Sequence, residues 1–167
     1  METAMDFILH AIAIGIGATL VLDLWTIVLR RAFGIRSPDW AMVGRWLGHM
    51  PRGRFMHDNI AAASAVRGER LLGWCFHYAT GIAFAGLLLV ANGSDWARQP
   101  TLLPCLGLGL LTVLFPFFVM QPAMGVGIAA SKTPNTAQAR LRSLVTHLVF
   151  GVGLYLAAVL ATALFRP

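Results

Sequence analysis

The chain has 167 residues, of which 57% are hydrophobic and 12% charged, about half the charged share of a soluble domain. A water-soluble fold of this length has too little interior to hide so much apolar surface, so the surrounding solvent is lipid. The net charge of +6 sits in loops between long apolar runs, and twelve of the thirteen basic residues are Arg. That pattern suits anionic lipid headgroups at a membrane face and argues against nucleic acid.

Four segments reach the ~20 apolar residues needed to cross a bilayer. They run from Phe7 to Leu29, Leu71 to Ala91, Thr101 to Met120 and Leu144 to Phe165. Helix is required in each, because lipid offers no partner to a free peptide N–H. The expected architecture is therefore an all-α membrane protein of four transmembrane helices in a single domain over residues 1–167. Met1 to Asp6 carries two acids and no basic residue, and the first apolar run is long, so no cleavable signal is expected. Cys75 and Cys105 fall near opposite faces on this topology, too far apart for a disulfide.

The cytoplasmic side follows from counting Lys and Arg. Eight lie in the loop from Arg30 to Arg70 and three in the loop from Gln121 to Arg142, against only Arg98 and Arg166 opposite. The large loops face the cytoplasm and both termini face outward. The first loop is too long to be structureless. Ser37-Pro38-Asp39 reads as a helix start, with the Ser37 hydroxyl as N-cap. Trp40, Val43, Leu47 and Met50 follow as an apolar stripe, with Arg45 and His49 away from it. This is a short amphipathic helix at the cytoplasmic interface, or a plug beneath the bundle. Pro51 and Gly53 end it, and a weak second helix is expected from His57 to Val66.

An internal repeat is visible. Arg70-Leu71, His77, Gly81 and Ala91 recur without gaps as Arg140-Leu141, His147, Gly151 and Ala161. Gly15-Ile16-Gly17 before Thr19 is echoed by Gly107-Leu108-Gly109 before Thr112. Helices one and two thus resemble helices three and four, as in parallel-repeat transporters.

An ionisable group inside a bilayer costs several kcal/mol and is a functional hypothesis by default. Asp23 lies seven residues before Arg30, His77 seven after Arg70 and His147 seven after Arg140. Three helices place a titratable group in one layer, roughly 10 Å inside the boundary. Thr19 shares the Asp23 stripe, and Gln121 closes helix three. Pro116 frees a carbonyl within that helix. These five residues, Asp23, His77, His147, Thr19 and Gln121, form the candidate binding layer; structural pairing that fixes helix register is the competing reading. His10 snorkels at the outer boundary. His49, His57 and Asp58 share the cytoplasmic loop; His57-Asp58 are too close in sequence to be a metal site alone, and with His77 or His147 they are the candidate set for a metal. Met120 and Met124 read as packing residues. The sequence holds no phosphate loop, His-Glu-x-x-His, Cys-x-x-Cys or Gly-x-Ser-x-Gly.

Several motifs together resemble one family. They are Gly17-Ala18-Thr19, Asp23-Leu24-Trp25, Gly44-Arg45-Trp46, Gly48-His49, Gly53-Arg54-Phe55 with His57, Glu69-Arg70, Gly73-Trp74, His77-Tyr78, Gln121-Pro122 and Ala129-Ala130-Ser131. The chain is similar over nearly its whole length to small bacterial membrane proteins grouped as domain of unknown function 2938. The resemblance implies a bacterial inner-membrane location and supplies no activity and no site residues.

Three functions compete. One is binding or translocation of a small solute or ion, coupled to protonation of Asp23 and the two histidines; four helices are few for this, so a homo-oligomer is expected. Another is a haem- or metal-binding protein with His77 and His147 as ligands, although nothing in the sequence requires a cofactor. The third is a structural or regulatory protein whose basic loop, through Arg45, Arg52 and Arg54, meets lipid or a partner.

Overall fold

The computed structural model describes residues 4–164, with only the backbone described at Ser94 and Asp95. Among the described residues there is no strand. The long helices are α1 (Ala4–Phe33), α3 (Glu69–Arg98), α4 (Leu102–Ala123) and α5 (Thr136–Leu164), with the shorter α2 (Trp40–His49) between the first two. The four long helices each contain a stretch long and apolar enough to cross a membrane. Their lipid-type surface is explicit: Leu24, Val90, Leu103, Leu111 and Leu160 are all at least 60% exposed.

α1, α3 and α5 begin before their predicted spans, because polar ends continue the helical hydrogen bonding outside the apolar stretch, whereas α4 begins one residue late, at Leu102, and runs on to Ala123. In α3 the apolar part stops at Gly93, whose φ of 78° breaks the helix before Arg98. In α4, α-helical turns over Leu102–Thr112 give way to a π-helical segment, Pro116–Met120, and a last α turn, Gln121–Ala123. Pro116 has no N–H to donate, and the wider turn begins at that residue. The predicted end at Phe165 lies outside the described residues, as does Arg166.

The chain divides into two compact units. One comprises the described residues of Met1–Ser37, Tyr78–Leu111 and Thr146–Pro167. Its core is unusually small-sided: Ala11, Ala18, Ala85, Ala157, Ala158 and Ala161 are buried beside Ile14, Leu88 and Leu154. Small residues let helix backbones approach, the usual driving geometry where lipid removes the hydrophobic effect. A Cβ on Gly15 would lie 2.6 Å from the Ile82 nitrogen, and one on Gly109 2.6 Å from the His147 carbonyl. Gly81 faces Gly15 and Thr19, while Gly151 faces Cys105 and Leu106. Gly153 lies against Ala18, which brings α5 onto α1. Thr162 donates to the Ala97 carbonyl at 2.8 Å. Both cysteines are free, Cys105 buried and Cys75 exposed.

The other unit comprises Pro38–His77 and Thr112–Val145. Here α2 packs against the first turns of α3, backbone to backbone: a Cβ on Gly44 would collide with the Glu69 carbonyl, and one on Gly73 with the Trp40 carbonyl. This approach rotates α2 from its expected setting. Val43, Gly44, Trp46 and His49 are buried, whereas Trp40, Leu47 and Met50 are half-covered. His49 therefore points inward, not away from the apolar face. The N-cap is also shifted: Asp39 Oδ1 accepts from the Ala41 N–H at 3.0 Å, and the expected cap, Ser37, is exposed. Pro38 restricts Ser37 to extended backbone and moves the cap two residues on. Pro51 and Gly53 do end the helix, Gly53 in the left-handed region at φ 74°. The weak helix expected over His57–Val66 shrinks to one 3-10 turn, Ile60–Ala62, because the flanking residues bond elsewhere.

Candidate functional site

In the first unit, Asp23 accepts a hydrogen bond at Oδ2 from the Tyr78 hydroxyl, 2.9 Å away. The partners come from α1 and α3, at positions that are half-buried and within candidate membrane spans. Thr26 donates its hydroxyl to the Asp23 carbonyl at 2.9 Å. Thr19, one turn before Asp23, is 1% exposed and donates to the Gly15 carbonyl at 2.8 Å. Its hydroxyl is what a Cβ on Gly81 would strike, so Thr19 also seals the α1–α3 approach. The Trp25 indole nitrogen is a buried donor with no acceptor among the described residues. His147 is half-buried in the same unit, its carbonyl at the Gly109 approach.

His77 belongs to the second unit and is 8% exposed. Its ring stacks on Trp40 with centroids 3.9 Å apart, and Trp74 meets it edge-on at 5.7 Å. The membrane-entry end of α3 is thus pinned to the start of α2 by aromatic packing as well as by Gly44 and Gly73.

Arg45 organises the loop between α2 and α3. It pairs with Glu69 through Nε at 2.9 Å and Nη2 at 2.7 Å, a bidentate fork. Its Nη1 donates to the carbonyls of Ile60, Ala61 and Ala63 at 3.4, 3.2 and 3.1 Å. Glu69 in turn accepts the Val66 N–H at 2.9 Å. The pairing with Glu69 raises the Arg45 pKa above its already high ordinary value. Of the basic residues expected to meet lipid, Arg45 is turned inward while Arg52 and Arg54 are exposed. Phe55 and Met56 beside them are 57% and 65% exposed.

His49 and His57, grouped on one loop by the sequence, form a pair there. His49 and His57, 4% and 7% exposed, stack at 5.0 Å with His49 Nδ1 and His57 Nε2 2.8 Å apart. His49 Nε2 lies 3.0 Å from the Ser64 carbonyl, which can only accept, so that nitrogen carries a proton. The hydrogen bond between the rings leaves His57 Nδ1 as the remaining ring nitrogen of the pair. That atom is buried with no partner among the described residues, as is Gln121 Oε1. The His57 N–H donates to the Ala123 carbonyl at 2.8 Å and Ile60 N–H to the Met124 carbonyl at 3.1 Å, so loop and α4 terminus are laced together. Burial, then the neighbouring His49, pushes the His57 imidazole below its ordinary range, with Arg54 adding to this and the Ala123 carbonyl opposing it. Among the described residues no three His, Cys, Asp or Glu side chains gather as a metal site.

Of the predicted site residues, the structure gives Asp23 a specific partner, Tyr78, that sequence reasoning did not single out. The signal was its position: a phenol one residue after His77, inside a membrane helix. Searches of curated proteins and of solved structures found no match. The family model of proteins of unknown function, DUF2938, matches residues 12–161, and the chain belongs to that family.

Proposed function

We propose that the chain binds or moves a small solute or ion across the bacterial inner membrane, with Asp23 as the protonatable group. The observation that supports this is the Asp23–Tyr78 hydrogen bond within candidate membrane spans. A carboxylate in low dielectric is expensive, which makes it a functional candidate by default, and a phenol can pass it a hydrogen bond in either protonation state. Gly81 closes α3 on α1 and Gly151 closes α5 on α4, in keeping with a repeat of the two pairs, while Gly107, the counterpart of Gly15, meets nothing within 4 Å. Two copies would supply enough helices to enclose a path, so the working unit in this proposal is a homodimer. The basic loop faces the cytoplasm, in keeping with its eight Arg residues.

The test is proton uptake into liposomes reconstituted with the purified chain. Asp23→Asn abolishes uptake while the protein remains folded, and Tyr78→Phe reduces it. Retained uptake in a folded Asp23→Asn protein sinks the proton role. Orientation is tested separately: Arg54→Cys reacts with a membrane-impermeant maleimide only in inverted vesicles, and labelling of intact spheroplasts would reverse the topology.

A second reading is favoured by the exposed run Arg52 to Met56, basic and apolar side chains together at one loop tip. It suits anionic headgroups. Arg52→Glu with Arg54→Glu would then weaken association of the protein with anionic lipid and leave neutral lipid binding unchanged.

A further inference from the structure

The loop after α2 carries a tip, Arg52 to Met56, whose backbone is tied down while its side chains stand free of the fold. Gly53 turns the chain in the left-handed region and donates its N–H to the Met50 carbonyl at 2.9 Å. The Arg54 N–H reaches the His49 carbonyl at 3.3 Å, and the Trp46 indole donates to the Phe55 carbonyl at 2.9 Å. One residue beyond the tip, the His57 N–H is held by the Ala123 carbonyl. Arg52, Arg54, Phe55 and Met56 are nonetheless exposed, the last two by more than half. A fixed backbone under exposed arginine and apolar side chains is preorganised for contact, because little freedom is left to lose on binding.

What the tip meets follows from where Ala123 sits. Ala123 is the last residue of a 22-residue candidate membrane span, Leu102–Ala123. At 1.5 Å per residue such a span covers ~33 Å, about the thickness of the hydrocarbon core, so Ala123 marks its edge. The headgroup layer beyond is roughly 5–8 Å deep, and Phe55 is two residues from His57, at most ~8 Å of chain. At that depth a bilayer offers phosphate to arginine and acyl chains to apolar side chains. Arg52 Nη1 lies 3.4 Å from the Gly48 carbonyl, a long contact that leaves most of the five guanidinium donors for an anion. We propose that the tip docks into the bilayer surface around an anionic phospholipid. Arg52 and Arg54 hold its headgroup, and Phe55 and Met56 enter the hydrocarbon edge. This rests on the headgroup reading of the loop tip and adds to it insertion, depth and choice of lipid.

The full chain bearing Phe55→Cys, with Cys75→Ser and Cys105→Ala to remove the native thiols, is labelled at position 55 with a nitrobenzoxadiazole fluorophore. Phe55 is exposed, so the change leaves the fold intact. The protein is reconstituted into vesicles of phosphatidylcholine and phosphatidylglycerol, one lipid or the other carrying a nitroxide on its acyl chain. Quenching by both lipids is expected, with phosphatidylglycerol the stronger. Its enrichment around the tip should be roughly five- to thirtyfold, the range for one to two net arginine charges, since Asp58 is exposed four residues after Arg54. Arg52→Gln with Arg54→Gln removes the preference and keeps the quenching. Quenching by neither lipid overturns the insertion while leaving headgroup attraction through the arginines to its own test. A crosslink between two Phe55→Cys chains would then give the tip to a second copy. Equal quenching by the two lipids overturns the proposal by the other route, because the headgroup reading itself then fails.

Discussion

Replacing Gly44 with Ala is the most direct test of how the second unit holds together. The added methyl would collide with the Glu69 carbonyl and sit 2.7 Å from the Gly73 nitrogen. Both are helix backbone, and no side-chain rotation relieves them. The helices would have to part by more than about 1 Å, and a radial gap of 0.5–1 Å already forfeits a quarter to a half of the dispersion attraction across an interface. The same movement would pull Arg45 from its 2.7 Å contact with Glu69. Overpacking typically costs 1–3 kcal/mol, and with backbone on both sides ~3 kcal/mol or more is expected here. Gly107→Ala is the control, since a Cβ there meets nothing within 4 Å; it should be neutral or stabilise by about 0.5–1 kcal/mol. Hydrogen exchange of the α2 amides in detergent reads the outcome. Gly44→Ala should raise exchange across residues 40–49 and lower the melting temperature of the purified protein. Unchanged exchange and melting would refute the close approach of α2 and α3.

Three further outcomes follow from the same contacts. Arg45→Lys keeps the charge but loses the fork and the reach to three loop carbonyls, and should cost ~1–2 kcal/mol, seen as faster proteolysis within residues 60–69. Gly81→Ala and Gly151→Ala should both destabilise by ~1–3 kcal/mol, while Gly86→Ala, whose nearest neighbours are at 3.9 Å, should not; thermal stability in detergent distinguishes them. The His57 loop should be acid-sensitive. Its imidazole is held below its ordinary value in the fold, so the unfolded loop binds the proton more readily and stability falls as pH drops through 6.5 toward the lowered value. Amide protection around residues 49–64 should therefore decline between pH 7 and 5, and protection that rises instead would reverse the sign of the argument.

What the sequence made legible was set by strong, local physics. The four spans follow from apolar runs that only a bilayer can accommodate, and Pro116 from a missing N–H. The end of α2 follows from Pro51 and Gly53. What it hid depends on long-range placement. The rotation of α2 is fixed by Gly44 meeting Gly73, twenty-nine residues apart in sequence, and no helical wheel of α2 alone contains it. The same rotation carried His49 inward to meet His57, across a loop whose course is set by Arg45. Tyr78 was passed over because its partner lies on another helix, 55 residues away. Asp39 displaced Ser37 as cap because proline acts on the residue before it as well as on its own nitrogen.

The π-helical segment at Pro116–Met120 sets the phase of everything that follows it in α4. An α-helix turns each residue by ~100°, so one surplus residue in a wider turn rotates all later side chains by about that angle against a regular α-helix. Gln121, Ala123 and Met124 therefore owe their angular setting to an effective insertion and not to their own identities. Removing one exposed residue from the segment, such as Phe118, would leave composition almost untouched yet swing the end of the helix about its axis. Loop lacing at Ala123 and Met124 and the Gln121 amide would all lose register in that one deletion. At this point of the chain, length constrains the molecule more tightly than side-chain chemistry does.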